Sequence, residues 1–264
     1  MDTRFWGPSG WKLLHSIAFS YNPEKDKAAM KTFFEMLPFV LPCKFCRTSL
    51  TGYMQEDPLG PALKSRDSLS RWLWRIHNQV NAKLRGQNLK VEPDPPFETV
   101  RRIYMDSLES GCSRTEFPGW EFLFSVAELH PMSKAARGSL PMKGHPPCTT
   151  IKSIEEKNKW NCLPPEERLP LYHEFWVSLG AVLPFNEWRA IWLEHGSKSK
   201  RSTKKETIQW LWELRCAMEN SLELINRCEY SSLCKNLKAH RSGCNKSKKA
   251  KTCRMKRNTR KIKS

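Results

Sequence analysis

The chain lacks any run of about 18 consecutive apolar residues, the length a membrane-spanning helix needs, so no such span is expected and a soluble chain is. Its opening residues, Met1-Asp2-Thr3-Arg4, have none of the apolar character of a secretory signal, and no export address is expected either. Polar and apolar residues rarely alternate as they would along strands. No glycine-rich phosphate loop is seen. Acidic residues vanish near the end: Tyr230 to Ser264 holds 13 Lys and Arg and no Asp or Glu. That stretch supplies most of the net charge of +18 and leaves a body that is only mildly basic.

What is present points to a helical protein with a redox or metal question attached. With 264 residues, 39% of them hydrophobic, 11 Trp and 12 Phe, the chain can bury one or two ordinary cores. Ten cysteines are more than a reducing compartment tolerates without a purpose. Trp11, Leu14, His15, Ala18 and Phe19 fall at helical spacing, as do Phe33, Phe34 and Leu37, and then Leu69, Trp72, Leu73, Ile76, Val80 and Leu84. Prolines at 23, 42, 58 and 61 punctuate these runs, and Val91–Phe97 reads as a proline-rich exit. The expected class is all-α, beginning with a small bundle of four or five helices.

The second half repeats the first weakly. Gly10-Trp11-x-x-Leu14-x-Ser16-x-Ala18 matches Gly119-Trp120-x-x-Leu123-x-Ser125-x-Ala127. Phe33, Leu37, Val40, Leu41 and Pro42 match Phe175, Leu179, Val182, Leu183 and Pro184, and Trp72-Leu73-Trp74 matches Trp210-Leu211-Trp212. Three blocks in one order indicate a duplication. The organisation expected is a helical domain at 1–110, a degenerate copy at 115–226 and a cysteine-containing basic tail at 227–264. An insertion at about 131–161, rich in Pro, Gly, Lys and Ser, reads as a loop.

Three clusters carry chemistry. Cys43-Lys44-Phe45-Cys46 follows Pro42, a residue favoured where helices begin. Unpaired backbone N–H groups in a first helical turn stabilise a thiolate, which suits disulfide exchange. Half of a zinc site is the competing reading, but no second cysteine or histidine pair at finger spacing lies within the first 110 residues, so no metal is assigned. Trp11, His15 and Phe19 form one helical stripe, whose bland reading is a core stripe with a hydrogen-bonded histidine. His77, Asn81 and Leu84 share another face, with Asn78 beside them. Two asparagines in mid-helix next to a histidine suggest a polar ligand, against a solvated patch as the alternative.

In this order, Trp-x-x-x-His-x-x-x-aromatic, C-x-x-C and His-Asn-x-Val-Asn-x-x-Leu, the sequence resembles the Erv/ALR sulfhydryl oxidases over about residues 4–88. The start at Trp6-Gly7-Pro8 looks most like members encoded by large DNA viruses. That resemblance implies a helical bundle, FAD, and oxidation of protein dithiols with O2 as acceptor. It implies Cys43 and Cys46 as the redox pair, with Cys46 next to the flavin. It places Gly7, Trp11, His15 and Phe19 at the flavin or its adenosine part, and His77, Asn78, Val80, Asn81 and Leu84 around adenine and ribose, with Lys83 in reach of a phosphate. The family continues from that leucine into Gly-Lys, where this chain has Leu84-Arg85-Gly86-Gln87. Homodimers are common in the family, and an internal copy could take the partner's place as a pseudo-dimer. The viral likeness implies host cytoplasm or virion.

Cys228, Cys234, Cys244 and Cys253, with His240, leave three readings open: a shuttle for electrons, a zinc site, or free thiols in a floppy tail. The Lys/Arg run from Lys246 to Lys263 reads first as a solvated tail and second as a site for acidic partners or nucleic acid. A rival from another class is a non-enzymatic zinc-binding nucleic-acid adaptor.

Overall fold

A computed structural model of the chain describes residues 1–111, 114, 116–196, 201–223 and 228–241; among them there is no strand, in agreement with the all-α expectation. The first half runs α1 (Thr3–Ser20), α2 (Pro23–Val40), α3 (Lys44–Glu56), the short α4 (Leu59–Ala62), α5 (Arg66–Gly86) and α6 (Phe97–Glu109). Its helix starts follow from local chemistry. Asp2 accepts from the Arg4 N–H, Asn22 from Glu24 N–H with Pro23 as the first helical residue, and Ser65 from Ser68 N–H. At α3 the capping position belongs to Cys43, whose carbonyl accepts from the N–H groups of Cys46 and Arg47 at 3.0 Å each.

The second half runs α7 (Trp120–Glu128), α8 (Lys134–Arg137), α9 (Ile154–Lys159), α10 (Pro165–Val182), α11 (Asn186–Gly196), α12 (Lys204–Ser221) and α13 (Tyr230–Ala239). The insertion expected as a loop holds α8, α9 and a 3-10 turn at Cys148–Thr150. Ser133 and Ser153 cap the two short helices, which explains turns in a segment too rich in Pro and Gly for a long one. Beyond residue 226, α13 buries Leu233 and Leu237. It also reaches the start of α1, where Asp2 N–H donates to the His240 carbonyl at 3.0 Å and Phe5 stacks on His240 at 4.5 Å. Cys244, Cys253 and the run from Lys246 to Lys263 lie outside the described residues.

The halves meet through α1 on α7 and α2 along α10. Phe33 stacks on Phe175 with ring centres 5.6 Å apart. A Cβ on Gly10 would lie 3.3 Å from the Phe122 ring, and one on Gly119 would lie 2.6 Å from Leu13. In the register of the sequence matches Gly10 pairs with Gly119 and Leu13 with Phe122, so these contacts are reciprocal. Buried apolar side chains of both halves form one continuous cluster, which includes Phe34, Trp72, Phe122 and Trp192. No helix among the described residues is long and apolar enough to cross a membrane.

Candidate active site

Between the first turns of α1, the start of α3 and the last three turns of α5 lies a cavity of about 900 Å³, the size of a cofactor site. Helix α1 contributes Gly7 and Trp11 to its wall, and α3 contributes Cys43, Cys46 and Ser49. From α5 come His77, Val80, Asn81 and Leu84, whose spacing puts them on one face, with Lys83 at its edge. Leu37, Leu41, Leu50 and Trp72 make an apolar floor.

The polar wall is tied down from behind. Trp11 stacks on the His77 ring at 3.8 Å with the planes 11° apart. His77 Nδ1 meets His15 Nε2 at 3.1 Å. Burial, then the neighbouring His77, pushes His15 down to about 3, and burial pushes His77 down to about 4 with Asp94 opposing, so both imidazoles are neutral at neutral pH. Asn81 donates to Asp94 at 2.8 Å, and Arg85 also binds Asp94, holding that carboxyl below the usual range, with Asn81 reinforcing it. Lys83 Nζ donates to Ser49 Oγ, linking α5 to the helix that carries the cysteines.

A family model described as the Erv1 / Alr family matches residues 8–101. The chain is 30% identical over 92 residues to a putative FAD-linked sulfhydryl oxidase of Invertebrate iridescent virus 6, covering 32% of this chain and 83% of that protein. The chain belongs to the Erv1/Alr family. It is also 38% identical over 87 residues to the mitochondrial FAD-linked sulfhydryl oxidase of Saccharomyces cerevisiae, covering 32% of this chain and 45% of the yeast protein. With the probable FAD-linked sulfhydryl oxidase of Acanthamoeba polyphaga mimivirus it shares 40% identity over 85 residues, 31% of this chain and 59% of the viral protein. The match thus spans only about half the length of these last two relatives. No solved structure matches the chain significantly.

Of the residues expected at the site, the cavity gathers Gly7, Trp11, Cys43, Cys46, His77, Val80, Asn81, Lys83 and Leu84. His15, Phe19 and Asn78 are not among its lining residues. His15 is buried one layer back, and Phe19 stacks on Tyr104 at 5.5 Å, with Tyr104 in turn stacked on His15 at 5.1 Å. Sequence reading missed several neighbours: Asp94 behind Asn81, Tyr104, the cavity-lining Leu89, Val91 of the proline-rich exit, and Phe122 from the second half. Asp94 and Val91 sit in a stretch with no helical period, so no pattern marked them.

Cysteines outside this site are also resolved in part. Cys148 and Cys162 form a disulfide that loops off the second half of the insertion, and His145 Nδ1 lies 3.6 and 3.8 Å from their sulfurs. These three are the one grouping of metal-binding residue types among the described residues, and the disulfide engages two of them.

Proposed function

We propose that this protein is an FAD-dependent sulfhydryl oxidase that forms disulfides in protein dithiols and reduces O2 to H2O2. The observation that carries this reading is that one wall of one cavity holds Cys43 and Cys46 while the facing walls hold Trp11, His77, Asn81 and Lys83. The cavity suits FAD in size, in its apolar floor and in its cations. The buried Trp6 Nε1, which has no hydrogen-bond partner among the described residues, offers a donor at its wall. Trp11 and His77 would flank the ring systems, Asn81 and Leu84 the adenosine part, and Lys83 a phosphate.

When bound, FAD would accept an electron pair from the reduced cysteines and hand it to oxygen. The chain's own residues carry out thiol exchange. A substrate thiolate attacks Cys43 Sγ of the Cys43–Cys46 disulfide, a mixed disulfide forms, and the electron pair of the broken bond stays on Cys46 Sγ. The second substrate thiol then displaces Cys43, leaving an oxidised substrate and a reduced pair. His15 and His77, neutral and mutually bonded, keep the stacked wall rigid without adding charge.

The reciprocal contacts of Gly10 and Gly119 with Phe122 and Leu13 support a second proposal within this reading: residues 115–226 are a degenerate copy that packs as an internal pseudo-dimer partner. The viral relatives support work in host cytoplasm or virion. The test is direct. Purified protein should carry yellow flavin and consume oxygen with dithiothreitol; a colourless protein that leaves dithiothreitol unoxidised after flavin is added back would defeat the proposal.

A further inference from the structure

Arg47 follows Cys46 in α3, and its guanidinium is buried. Nη1 donates to the Leu41 carbonyl at 2.9 Å and Nη2 to Asn161 Oδ1 at 2.8 Å, while Nε has no partner among the described residues. Asn161 comes from the second half. It adopts φ 55°, a left-handed conformation that asparagine tolerates better than most residues. Its amide nitrogen donates to the Leu140 carbonyl at 2.8 Å, and Lys44 Nζ donates to the same carbonyl at 2.7 Å. Thr48 Oγ1 donates to the Lys159 carbonyl at 2.6 Å. The insertion is thereby fastened along α3 immediately behind the cysteine pair.

A buried guanidinium is costly unless an anion answers it. Arg47 has no ion pair with a carboxylate among the described residues; both its hydrogen bonds go to neutral oxygens. A second buried guanidinium, Arg168 at the start of α10, makes matters worse: burial and then Arg47 push it down to about 8. Burial likewise pushes Arg47 down, and the groups that pull it back up are Cys43 and Cys46 as thiolates.

We propose that Arg47, held in place by Asn161 of the second half, is a positioning residue whose charge stabilises the thiolate formed in the Cys43–Cys46 pair. When a substrate thiolate bonds to Cys43 Sγ and the S–S bond breaks, the electron pair goes to Cys46 Sγ; Arg47, the next residue in α3 and bonded through its N–H to the Cys43 carbonyl at 3.0 Å, is the buried cation beside it, where little water competes. The charged residues that line the same cavity as the pair are mostly cations as well, Arg4, Lys12, Lys83 and Lys90 against Asp2, while the Met1 ammonium donates to the Pro42 carbonyl at 3.5 Å, Lys44 lies on α3, and Arg168 of α10 neighbours Arg47. Tyr53 lies further along α3, and Glu156 and Lys159 of α9 engage Gln55 near its far end. The second half would therefore do more than fill a dimer face; it would hold the cation that tunes the first half.

This inference rests on the oxidase reading, and its test is independent of turnover. The full chain is reduced, and alkylation of Cys43 and Cys46 by iodoacetamide is followed across pH by mass spectrometry. Arg47→Gln keeps hydrogen bonding without the charge and should raise the alkylation midpoint by about one pH unit, slowing the reaction about tenfold near neutrality. Arg47→Lys should restore most of the rate. Asn161→Asp, which keeps Arg47 and supplies an anion, should shift the midpoint the same way and carries the test if Arg47→Gln does not fold. Unchanged midpoints in folded Arg47→Gln and Asn161→Asp would overturn the proposal. Absence of oxygen consumption by the unmodified protein would instead overturn the oxidase reading, with the alkylation profile still deciding what Arg47 does.

Discussion

In the register of the sequence matches the start of α11 is the counterpart of the start of α3, yet one borders a cavity and the other is filled. In that register Phe185 stands for Cys43 and Trp188 for Cys46. The two rings meet edge to face at 4.7 Å, and Phe117 closes on Trp188 at 4.9 Å and on Trp120 at 4.5 Å. On α12, Arg215 and Glu219 replace His77 and Asn81 and satisfy each other at 2.6 Å, both buried. The polar wall that faces open space in the first half is paired off in the second. One helical framework can thus keep a ligand-sized hole or plug it with aromatic side chains while the same apolar positions stay buried.

The largest effect should separate the two places outright. Cys43→Ser or Cys46→Ser is expected to reduce oxygen consumption with dithiothreitol to the uncatalysed rate while flavin stays bound, because exchange needs both sulfurs. Near-normal turnover in either variant would move the redox pair elsewhere. Trp188→Ala, the counterpart change, should leave the reactivity of Cys43 unaltered but cost about 3–5 kcal/mol in denaturant unfolding, since it empties a buried aromatic site. A loss of activity without loss of stability there would break the contrast.

Flavin content sharpens it further. Released FAD should approach one per chain, and a ratio near two would end the idea that the second half is a spent copy. His77→Ala or Asn81→Ala should weaken flavin retention by about 1–2 kcal/mol, roughly five- to thirtyfold in affinity, by removing a polar contact at the cavity wall. Cys216→Ala, beside Arg215 on α12, should leave flavin retention unchanged.

Much of this was legible because helices advertise themselves. The 3.6-residue period marked α1, α2 and α5, and the turn chemistry of Pro42 and Cys43 marked the start of α3. The stripe of Trp11, His15 and Phe19 shows the limit of such reading. Spacing places the three on one face, but only tertiary packing decides that Trp11 lines the cavity while His15 and Phe19 back it against Tyr104. Arg47 was equally silent, since its meaning comes from Asn161, which is 114 residues away. The Cys148–Cys162 disulfide joins two cysteines with no C-x-x-C spacing, so nothing local announced the pairing.

The smallest expected effect concerns the histidine pair, for which the second half again supplies the comparison: Phe124 stands where His15 does, and it cannot titrate. His15 is held down to about 3 and His77 to about 4, both below the ordinary value of 6.5 that they regain on unfolding. The unfolded chain therefore binds more protons than the folded one between those limits. Stability from keeping the pair neutral is complete above about pH 6.5 and drains away as pH falls toward about 4, at no more than about 1.4 kcal/mol per pH unit for each group. His15→Phe makes the first half resemble the second and should flatten the fall in melting temperature between pH 6.5 and 4, at the cost of the His77 hydrogen bond at all pH values. If the two proteins lose stability in parallel across that window, the pair is not the acid-sensitive element of the first half.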